Sequence, residues 1–246
     1  MKPVVIVPTY NERDNIDILI EELLALPVNL SVINVDDGSP DGTGEASDAW
    51  AAKTGRVQVI HRAGKLGLGT AYIAGFKLAL AQEFDRVLTM DADFSHHPRY
   101  IPALLALSRK RDVVIGSRYV PGGGTLNCVW KRRMLSEGAN GFAKLLLGLQ
   151  AKDCTAGFRC YRREVLQAID LDAIFANGYS FLIELLFDVQ RHGFQMGEVP
   201  IVFEDRRRGT SKISQMEVWR ALQTVGRLSW RRVREKLTAS PPAPLS

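Results

Sequence analysis

The carboxylates Asp91 and Asp93 are the side chains whose type and spacing indicate chemistry most directly. They follow a short apolar run at 87–90, and Pro98 opposes continuation of that predicted strand. Ligands of open α/β sheets bind outside the carboxyl ends of the strands, so both acids are expected at a ligand crevice. Two acids this close repel each other unless a cation lies beside them, and their hard oxygens suit Mg²⁺ or Mn²⁺. The pair indicates a divalent metal holding a phosphorylated substrate; the alternative is two solvated acids that cap the next helix.

Other polar candidates also come directly after predicted strands. They are Tyr10 and Glu12 after the first strand, Asp37 after the second and Arg118 after the fifth. Because the carboxyl ends of parallel strands lie along one edge of a sheet, we expect these side chains to converge on one crevice.

The first half of the chain alternates short apolar strands with helices. The pattern predicts strands at 4–7, 30–35, 57–61, 87–90 and 112–116, and helices at 15–26, 44–52, 66–81 and 100–109. This alternation predicts an α/β fold with a mostly parallel, doubly wound sheet.

The rhythm changes after residue 120. The pattern predicts a flexible glycine loop at 122–124, helices at 131–149, 181–190 and 214–237, strands at 153–161 and 198–203, and a basic loop at 204–212. We therefore expect one domain over residues 1–213, a basic amphipathic helix over 214–238 and a disordered tail over 239–246.

Composition narrows the class of protein. The 246 residues carry a formal charge of +5, and the excess of basic residues lies late in the chain, which favours anionic partners. Nucleic acid is not expected among them. Cys128, Cys154 and Cys160 have no metal-ligand spacing, so reduced thiols in a cytoplasmic protein are expected. The apolar run near the N-terminus is short for a signal peptide, and no stretch approaches the ~18 apolar residues of a membrane span. We expect a chain that is neither exported nor membrane-spanning.

Two nucleotide-binding motifs are disfavoured. The chain has no Gly-x-x-x-x-Gly-Lys-Ser/Thr, which argues against a P-loop ATPase. The pair Gly67-x-Gly69 has Tyr72 where a dinucleotide fingerprint has its third glycine, and it follows the third strand instead of the first. These glycines are better explained by close packing or a bend at the start of a helix.

Four motifs together resemble a known family. They are Pro8-Thr-Tyr-Asn-Glu12, Val35-Asp-Asp-Gly-Ser-Pro-Asp-Gly-Thr43, Met90-Asp-Ala-Asp-Phe-Ser-His-His-Pro98 and Gly116-Ser-Arg-Tyr119. They are similar to motifs of the family 2 inverting glycosyltransferases of the GT-A fold. The motif Arg206-x-x-Gly209-x-Ser211-Lys212 follows downstream. Together, the residues of these motifs resemble those of the dolichol- or polyprenol-phosphate mannose synthases of that family.

The resemblance implies a donor site for GDP-mannose. The family positions that hold the nucleotide match Pro8, Tyr10, Glu12, Val35 and Asp37. The positions that line the ribose and diphosphate match Asp91 and Ala92. The positions that contact the donor or close over it match Arg118, Arg206 and Lys212.

The resemblance also implies a metal and an acceptor. Asp93 matches the metal-binding acid, and Ser95 stands where some relatives carry glutamine as a second ligand of Mg²⁺ or Mn²⁺. Arg132 resembles the basic residue that meets the acceptor phosphate. Asp91, Asp93, Arg118 and Arg132 are therefore the candidate catalytic residues. A phosphate monoester is largely dianionic at neutral pH, so the acceptor needs no general base.

Other polar residues have plainer interpretations. His96 and His97 are interpreted as loop packing or hydrogen bonding in preference to catalysis. Asp153 is either a site-lining acid or a turn residue. Glu184, on an apolar helix, either lines the crevice or pairs with a nearby arginine.

The last predicted helix combines tryptophans with many arginines. Such a helix fits an anionic membrane surface or a partner's helix, or else it docks on its own domain with a solvated basic face. Relatives carry C-terminal membrane spans or use a small membrane subunit; this chain resembles the second type or a peripheral protein at the cytoplasmic face of a membrane.

The sequence thus predicts mannose transfer from GDP-mannose to a dolichyl or polyprenyl phosphate with inversion, for protein or cell-envelope glycosylation. The alternatives are a polyprenyl-phosphate glucosyltransferase that uses UDP-glucose, and a non-catalytic module that binds nucleotide or anionic lipid.

Overall fold

The computed structural model describes residues 1–126, 130–176, 178, 180–204 and 215–238. Its strands are β1 (Pro3–Thr9), β2 (Ser31–Asp36), β3 (Val57–His61), β4 (Arg86–Thr89), β5 (Val113–Ser117), β6 (Gly124–Leu126), β7 (Arg159–Arg162), β8 (Met196–Pro200) and β9 (Val202–Glu204). Its α-helices are α1 (Arg13–Ala25), α2 (Thr43–Thr54), α3 (Leu68–Ala81), α4 (Ile101–Leu107), α5 (Trp130–Leu147), α6 (Arg163–Ala168), α7 (Ser180–Arg191) and α8 (Gln215–Thr238).

The central sheet has the strand order β3-β2-β1-β4-β7-β5-β8. All its neighbouring strands pair in parallel except β7, which is antiparallel to both β4 and β5. This architecture confirms the predicted α/β fold with a mostly parallel sheet. The carboxyl ends of β1, β2 and β4 lie side by side, so the loops that follow them meet at one edge.

The predicted strand at 153–161 is wrong over most of its length, because only residues 159–162 join the sheet. The N–H of Asp153 donates to the carboxylate of Glu198 (3.0 Å), and the N–H of Cys154 donates to the side-chain oxygen of Asn140 (2.8 Å). At the start of the segment these side chains thus take two donors that a strand would give to its neighbour, and residues 153–158 form no strand.

The strand predicted at 198–203 is two strands. β8 pairs with β5 in the central sheet, whereas β9 pairs in parallel with β6 in a separate two-stranded sheet. Between them, Ile201 N–H donates to the Ser117 carbonyl (3.0 Å), and the Ile201 carbonyl accepts from Gly124 N–H (3.0 Å). The predicted glycine loop at 122–124 is therefore partly wrong, since Gly124 begins β6.

Helices cover both faces of the central sheet. One buried cluster packs α1 and α4 against the sheet through residues such as Leu19 and Leu104. The other joins α3, α7 and α8 to the opposite face, and Gly75 lets α3 approach β1, since a Cβ there would lie 2.5 Å from Ile6 Cγ2.

The last helix is part of this packing. Val225 and Leu228 of α8 are buried in the same cluster as α3 and α7 residues, and α8 contacts both α5 and α7. The boundary predicted at residue 213 falls in the segment 205–214, outside the described residues, as does the tail 239–246, so the predicted division stays a prediction. Among the described helices, none combines the length and apolar character that a bilayer crossing needs.

Candidate active site

A cavity of about 840 Å³ opens at the carboxyl ends of β1, β2 and β4. Its sheet wall consists of Pro8, Thr9, Tyr10, Glu12, Asp37, Asp91, Ala92 and Asp93. Its helical wall consists of Phe175, Ala176, Gly178, Glu184, Gln223, Thr224 and Arg227, and residues 65–68 with Ala71 complete the lining. The structure therefore brings together seven of the residues predicted for the donor site, and their roles in binding stay predictions.

Asp91 is fixed by two side chains from different parts of the chain. The Tyr72 hydroxyl lies 3.3 Å from Asp91 Oδ1, and the Asp91 N–H donates to Nδ1 of His96 at 3.3 Å. His96 is buried and stacks on Phe158, with ring centroids 5.2 Å apart. Burial lowers the pKa of His96, although the charge of Asp91 opposes that effect. A neutral ring that accepts the Asp91 N–H carries its proton on Nε2, so His96 here packs and hydrogen-bonds as predicted.

Asp93 is held by the residue two positions later. Its Oδ1 accepts from the N–H (3.0 Å) and the hydroxyl (2.5 Å) of Ser95, and both side chains are buried. Phe94 between them has φ of +61°, a conformation that costs a non-glycine residue free energy and turns the chain sharply. Ser95 thus orients the carboxylate of Asp93, and its role as a second metal ligand stays a prediction.

The adjacent acids Asp36 and Asp37 have different partners. Asp36 accepts from the Thr9 hydroxyl (3.0 Å) and from the N–H and hydroxyl of Ser39, so it organises the loop. Asp37 faces the cavity, and its Oδ1 lies 2.8 Å from Nη1 of Arg62. Burial raises the pKa of Asp37, and the charge of Arg62 opposes that rise in part.

Lys65 is a cavity residue that sequence reasoning missed. Its ammonium lies 4.6 Å from the centre of the Tyr10 ring, and both side chains line the cavity. Lys65 follows the end of β3, so the strand-end rule that selected Tyr10 and Asp37 would also have found it.

Arg118 lies outside the lining of this cavity. Its Nε and Nη2 bind the two carboxylate oxygens of Asp153 at 2.7 and 2.8 Å, and Nη2 also donates to the Thr155 hydroxyl at 2.8 Å. Burial would raise the pKa of Asp153, but the hydrogen bonds and charge of Arg118 hold it below its usual value. Asp153 is therefore the partner that fixes Arg118, where the sequence left a choice between a site-lining acid and a turn residue.

Glu184 does both things that the sequence left open. It lines the cavity, and its Oε1 lies 3.0 Å from Nη2 of Arg227 on α8. Its Oε2 accepts from the N–H of Ala176 at 2.8 Å, and the side chain is 1 % exposed. No local pattern marked Arg227, Gln223 or Thr224, since only the docking of α8 brings them to the cavity.

The remaining predicted residues either lie away from the cavity lining or fall outside the described part of the structure. The side chain of Val35 is fully buried in the core beneath the sheet edge. Arg132 lies in α5, but its side chain falls outside the described part of the structure, as do all of Arg206, Lys212 and Cys128. Cys154 and Cys160 are free, buried thiols whose pKa burial raises to about 12, so both are protonated at neutral pH.

The carboxylates fit a divalent cation of the kind that a substrate helps to hold. The described residues contain no group of three or more acids, histidines or cysteines arranged around a common metal position. A Mg²⁺ or Mn²⁺ ion bound with a nucleotide needs only one or two carboxylates, since phosphate oxygens and waters complete its coordination. Asp91 and Asp93 provide two carboxylates on the lining of one cavity.

The fold and the strand-end site place the chain in the GT-A class. Glucosyl-3-phosphoglycerate synthase from Mycobacterium tuberculosis, solved with Mn²⁺, UDP and glucosyl-3-phosphoglycerate, has a TM-score of 0.59 at 20% identity, covering 98% of this chain and 81% of that one. Mannosyl-3-phosphoglycerate synthase from Rubrobacter xylanophilus has a TM-score of 0.64 at 21% identity, covering 100% and 79%. A mannosyltransferase from Pyrobaculum calidifontis, solved with GDP-Man and Mn²⁺, has a TM-score of 0.59 at 17% identity, covering 99% and 66%.

Sequence comparison gives the family. The model of glycosyl transferase family 2 matches residues 4–170, so the chain belongs to that family. A polyprenol monophosphomannose synthase from Mycolicibacterium smegmatis is 45% identical over 223 residues, which are 90% of this chain and 84% of that protein. An undecaprenyl-phosphate mannosyltransferase from Micrococcus luteus is 44% identical over 227 residues, 92% of this chain and 93% of that protein.

Proposed function

We propose that this protein transfers mannose from GDP-mannose to a polyprenyl phosphate with inversion, forming polyprenyl phosphate β-D-mannose. The observation that carries the proposal is the cavity at the sheet edge, where Asp37, Asp91 and Asp93 meet. The names of the two relatives, each similar over most of its length, supply the sugar and the class of acceptor.

The sheet wall is the proposed donor site. Pro8, Tyr10, Glu12 and Asp37 contact the nucleoside, and Asp91 with Ala92 lines the ribose and diphosphate. Val35 supports this wall from the core. The Tyr72 hydroxyl and His96 hold Asp91 in one orientation, and Ser95 does the same for Asp93. A site that is fixed before the substrate arrives loses less free energy to ordering when the substrate binds.

Asp93, with Asp91 beside it, would hold the divalent ion. When bound, Mg²⁺ or Mn²⁺ would supply the positive charge that stabilises the departing diphosphate. Arg206 and Lys212 are proposed to reach the same diphosphate. Arg118, held by Asp153 after the end of β5, is proposed as a further donor contact or catalytic group.

The acceptor brings its own nucleophile. A polyprenyl phosphate is largely dianionic at neutral pH, so its oxygen attacks the sugar without prior removal of a proton. Arg132 is proposed to position the acceptor phosphate. Attack from the face opposite the diphosphate inverts the configuration at the sugar carbon.

We also propose that the protein acts as a peripheral protein at the cytoplasmic face of a membrane, with or without a small membrane subunit. The outer side of α8 supports this proposal, since Leu222, Trp230 and Val233 are exposed and lie on one side of the helix. Arginines flank this apolar stripe, and the combination suits an anionic lipid surface.

The direct test is transfer of label from GDP-[¹⁴C]mannose to polyprenyl phosphate, read as radioactivity extracted into organic solvent. The proposal predicts labelled lipid with GDP-mannose and not with UDP-glucose, loss of product with EDTA, and recovery with Mn²⁺ or Mg²⁺. Transfer from UDP-glucose alone would identify a glucosyltransferase instead. Binding of GDP without transfer from either donor would favour a non-catalytic module.

A further inference from the structure

The helical wall of the cavity contains a cation that the proposed donor site does not use. Among the described lining residues the positive charges are Lys65 and Arg227. Lys65 lies over Tyr10 on the sheet side, whereas Arg227 comes from α8, almost at the other end of the chain. A phosphorylated substrate in this cavity faces Asp37, Asp91 and Asp93 on the sheet wall, so basic groups elsewhere in the lining are needed to balance its charge.

Two contacts fix the position of the Arg227 guanidinium. Nη2 lies 3.0 Å from Oε1 of Glu184, and the guanidinium carbon lies 4.2 Å from the centre of the Phe175 ring. The other oxygen of Glu184 accepts from Ala176 N–H at 2.8 Å, so both oxygens of this buried carboxylate are used within the wall. Glu184 therefore orients Arg227 and does not itself reach toward a ligand.

The guanidinium retains donors for a ligand. An arginine has five N–H donors, and one nitrogen of Arg227 accounts for its contact with Glu184. The side chain is 44 % exposed and lines the cavity, so it is available to a molecule bound there. Planar guanidinium groups bind phosphate oxygens through paired, charge-assisted hydrogen bonds.

A chain of packed side chains connects the helical wall to the acids. Phe181, one turn before Glu184 on α7, stacks on Tyr72 with ring centroids 6.1 Å apart. The Tyr72 hydroxyl lies 3.3 Å from Asp91. Tyr72, which contacts Asp91, and Glu184, which contacts Arg227, therefore lie on two helices, α3 and α7, that pack against each other.

We propose that Arg227 is a substrate-binding residue that donates hydrogen bonds to a phosphate oxygen of the ligand in this cavity, and that Glu184 is its positioning residue. The identity of the ligand rests on the proposed function: the phosphate belongs to the nucleotide donor or to the polyprenyl phosphate. In either case, α8 has two roles. Its inner side forms part of the active site, and its outer side is the surface proposed to contact the membrane.

The test compares Arg227→Gln with Arg231→Gln. Arg231 is one turn further along α8 and makes a similar ion pair with Asp188 of α7 (3.3 Å), with a side chain that is 43 % exposed. It does not line the cavity. Calorimetric titration with GDP and Mn²⁺, and a second titration with a short, water-soluble polyprenyl phosphate, measure the two phosphate sources separately and need no turnover.

Arg227→Gln is expected to weaken binding of one ligand about tenfold or more, as loss of a charge-assisted hydrogen bond does, while Arg231→Gln binds like wild type. A loss for GDP assigns Arg227 to the donor, and a loss for the lipid phosphate assigns it to the acceptor. Unchanged binding of both ligands, or an equal loss in Arg231→Gln, would overturn the proposal.

A second variant separates an effect on ligand binding from an effect on folding. Arg227→Gln leaves the buried carboxylate of Glu184 without its cation, which can destabilise the protein. The double variant Glu184→Gln, Arg227→Gln keeps an acceptor for Ala176 N–H and leaves no buried charge at position 184. It is expected to show weakened binding of the same ligand as Arg227→Gln. Wild-type protein that binds GDP but transfers no sugar would refute the proposed function and leave this comparison intact.

Discussion

The two walls of the cavity are built from different kinds of structure. The sheet wall consists of loops that leave parallel strands, so its acids reach the cavity directly from the strand ends. Ser95 fixes Asp93 from two residues away, whereas Tyr72 and Arg62 contact Asp91 and Asp37 from other parts of the chain. The helical wall depends on distant contacts, since Glu184 of α7 meets Arg227 of α8 across 43 residues. The sheet wall therefore presents acids suited to a metal and a nucleotide, and the helical wall presents a cation whose position depends on how α8 docks.

Substitutions in the different parts of the molecule should therefore affect different properties of the protein. Removing an acid of the sheet wall should abolish chemistry and spare the fold, because these groups lie at the edge of the core. Loss of the buried acid Asp153 should lower stability, and changes on the outer side of α8 should alter membrane association.

Asp93→Asn is expected to have the largest effect. Asparagine keeps an oxygen for the Ser95 N–H and hydroxyl but loses the charge that would hold the cation, so mannose transfer should fall about a hundredfold or more. Label transfer measures the loss, and thermal unfolding should stay close to that of wild type. The control is Asp172→Asn, an exposed acid that pairs with Lys77, which should transfer normally. Undiminished transfer by Asp93→Asn would refute the proposed metal role.

Asp153→Asn tests the ion pair that holds Arg118, the strand-end residue that lies outside the cavity lining. The change leaves Arg118 without its carboxylate and should reduce the free energy of unfolding by about 2–3 kcal/mol at pH 7. The folded pKa of Asp153 lies below its ordinary value of 3.8, so its stabilisation is complete above that value and is lost as the pH falls through the folded pKa.

Urea unfolding at several pH values checks this prediction. Wild type should lose its advantage over Asp153→Asn as the pH falls below about 4, since protonation removes the same charge as the substitution. A constant difference between the two proteins from pH 7 to pH 3 would show that the ion pair with Arg118 is not the source of the stability.

Trp230→Glu addresses the outer side of α8 and should have the smallest effect. Trp230 is 72 % exposed, so a change there should leave folding and GDP binding unaltered. Cosedimentation with vesicles that contain phosphatidylglycerol should weaken about tenfold, because an inserted tryptophan is replaced by an anion. Ile18→Glu, at an apolar position of α1 that is 53 % exposed, is the matched control. Equal weakening by both variants, or by neither, would count against α8 as the membrane-contacting surface.

The sheet could be predicted because its signals are local. Short runs of apolar residues at 4–7 and 57–61 correspond closely to β1 and β3, and the acids after the strands reach the cavity as the parallel topology requires. The strand predicted from residue 153 does not begin there, since Glu198 and Asn140, both distant in sequence, take the backbone donors of Asp153 and Cys154. Such contacts depend on tertiary packing, which residue periodicity does not encode.

The same reasoning explains the outcome at the site. Asp37, Asp91 and Asp93 were found because each ends a strand, and Lys65 was within reach of that rule. Arg118 also ends a strand, but the buried acid Asp153 holds it outside the cavity lining. Arg227 carries no local signal, since it is one of many arginines on α8 and only the position of Glu184 distinguishes it.

The most direct test of the central claim is a crystal structure of the protein with GDP and Mn²⁺. We predict that the nucleotide occupies the cavity at the ends of β1, β2 and β4, with its diphosphate and the ion beside Asp91 and Asp93. Nucleotide bound at another surface, with this cavity empty, would contradict the account.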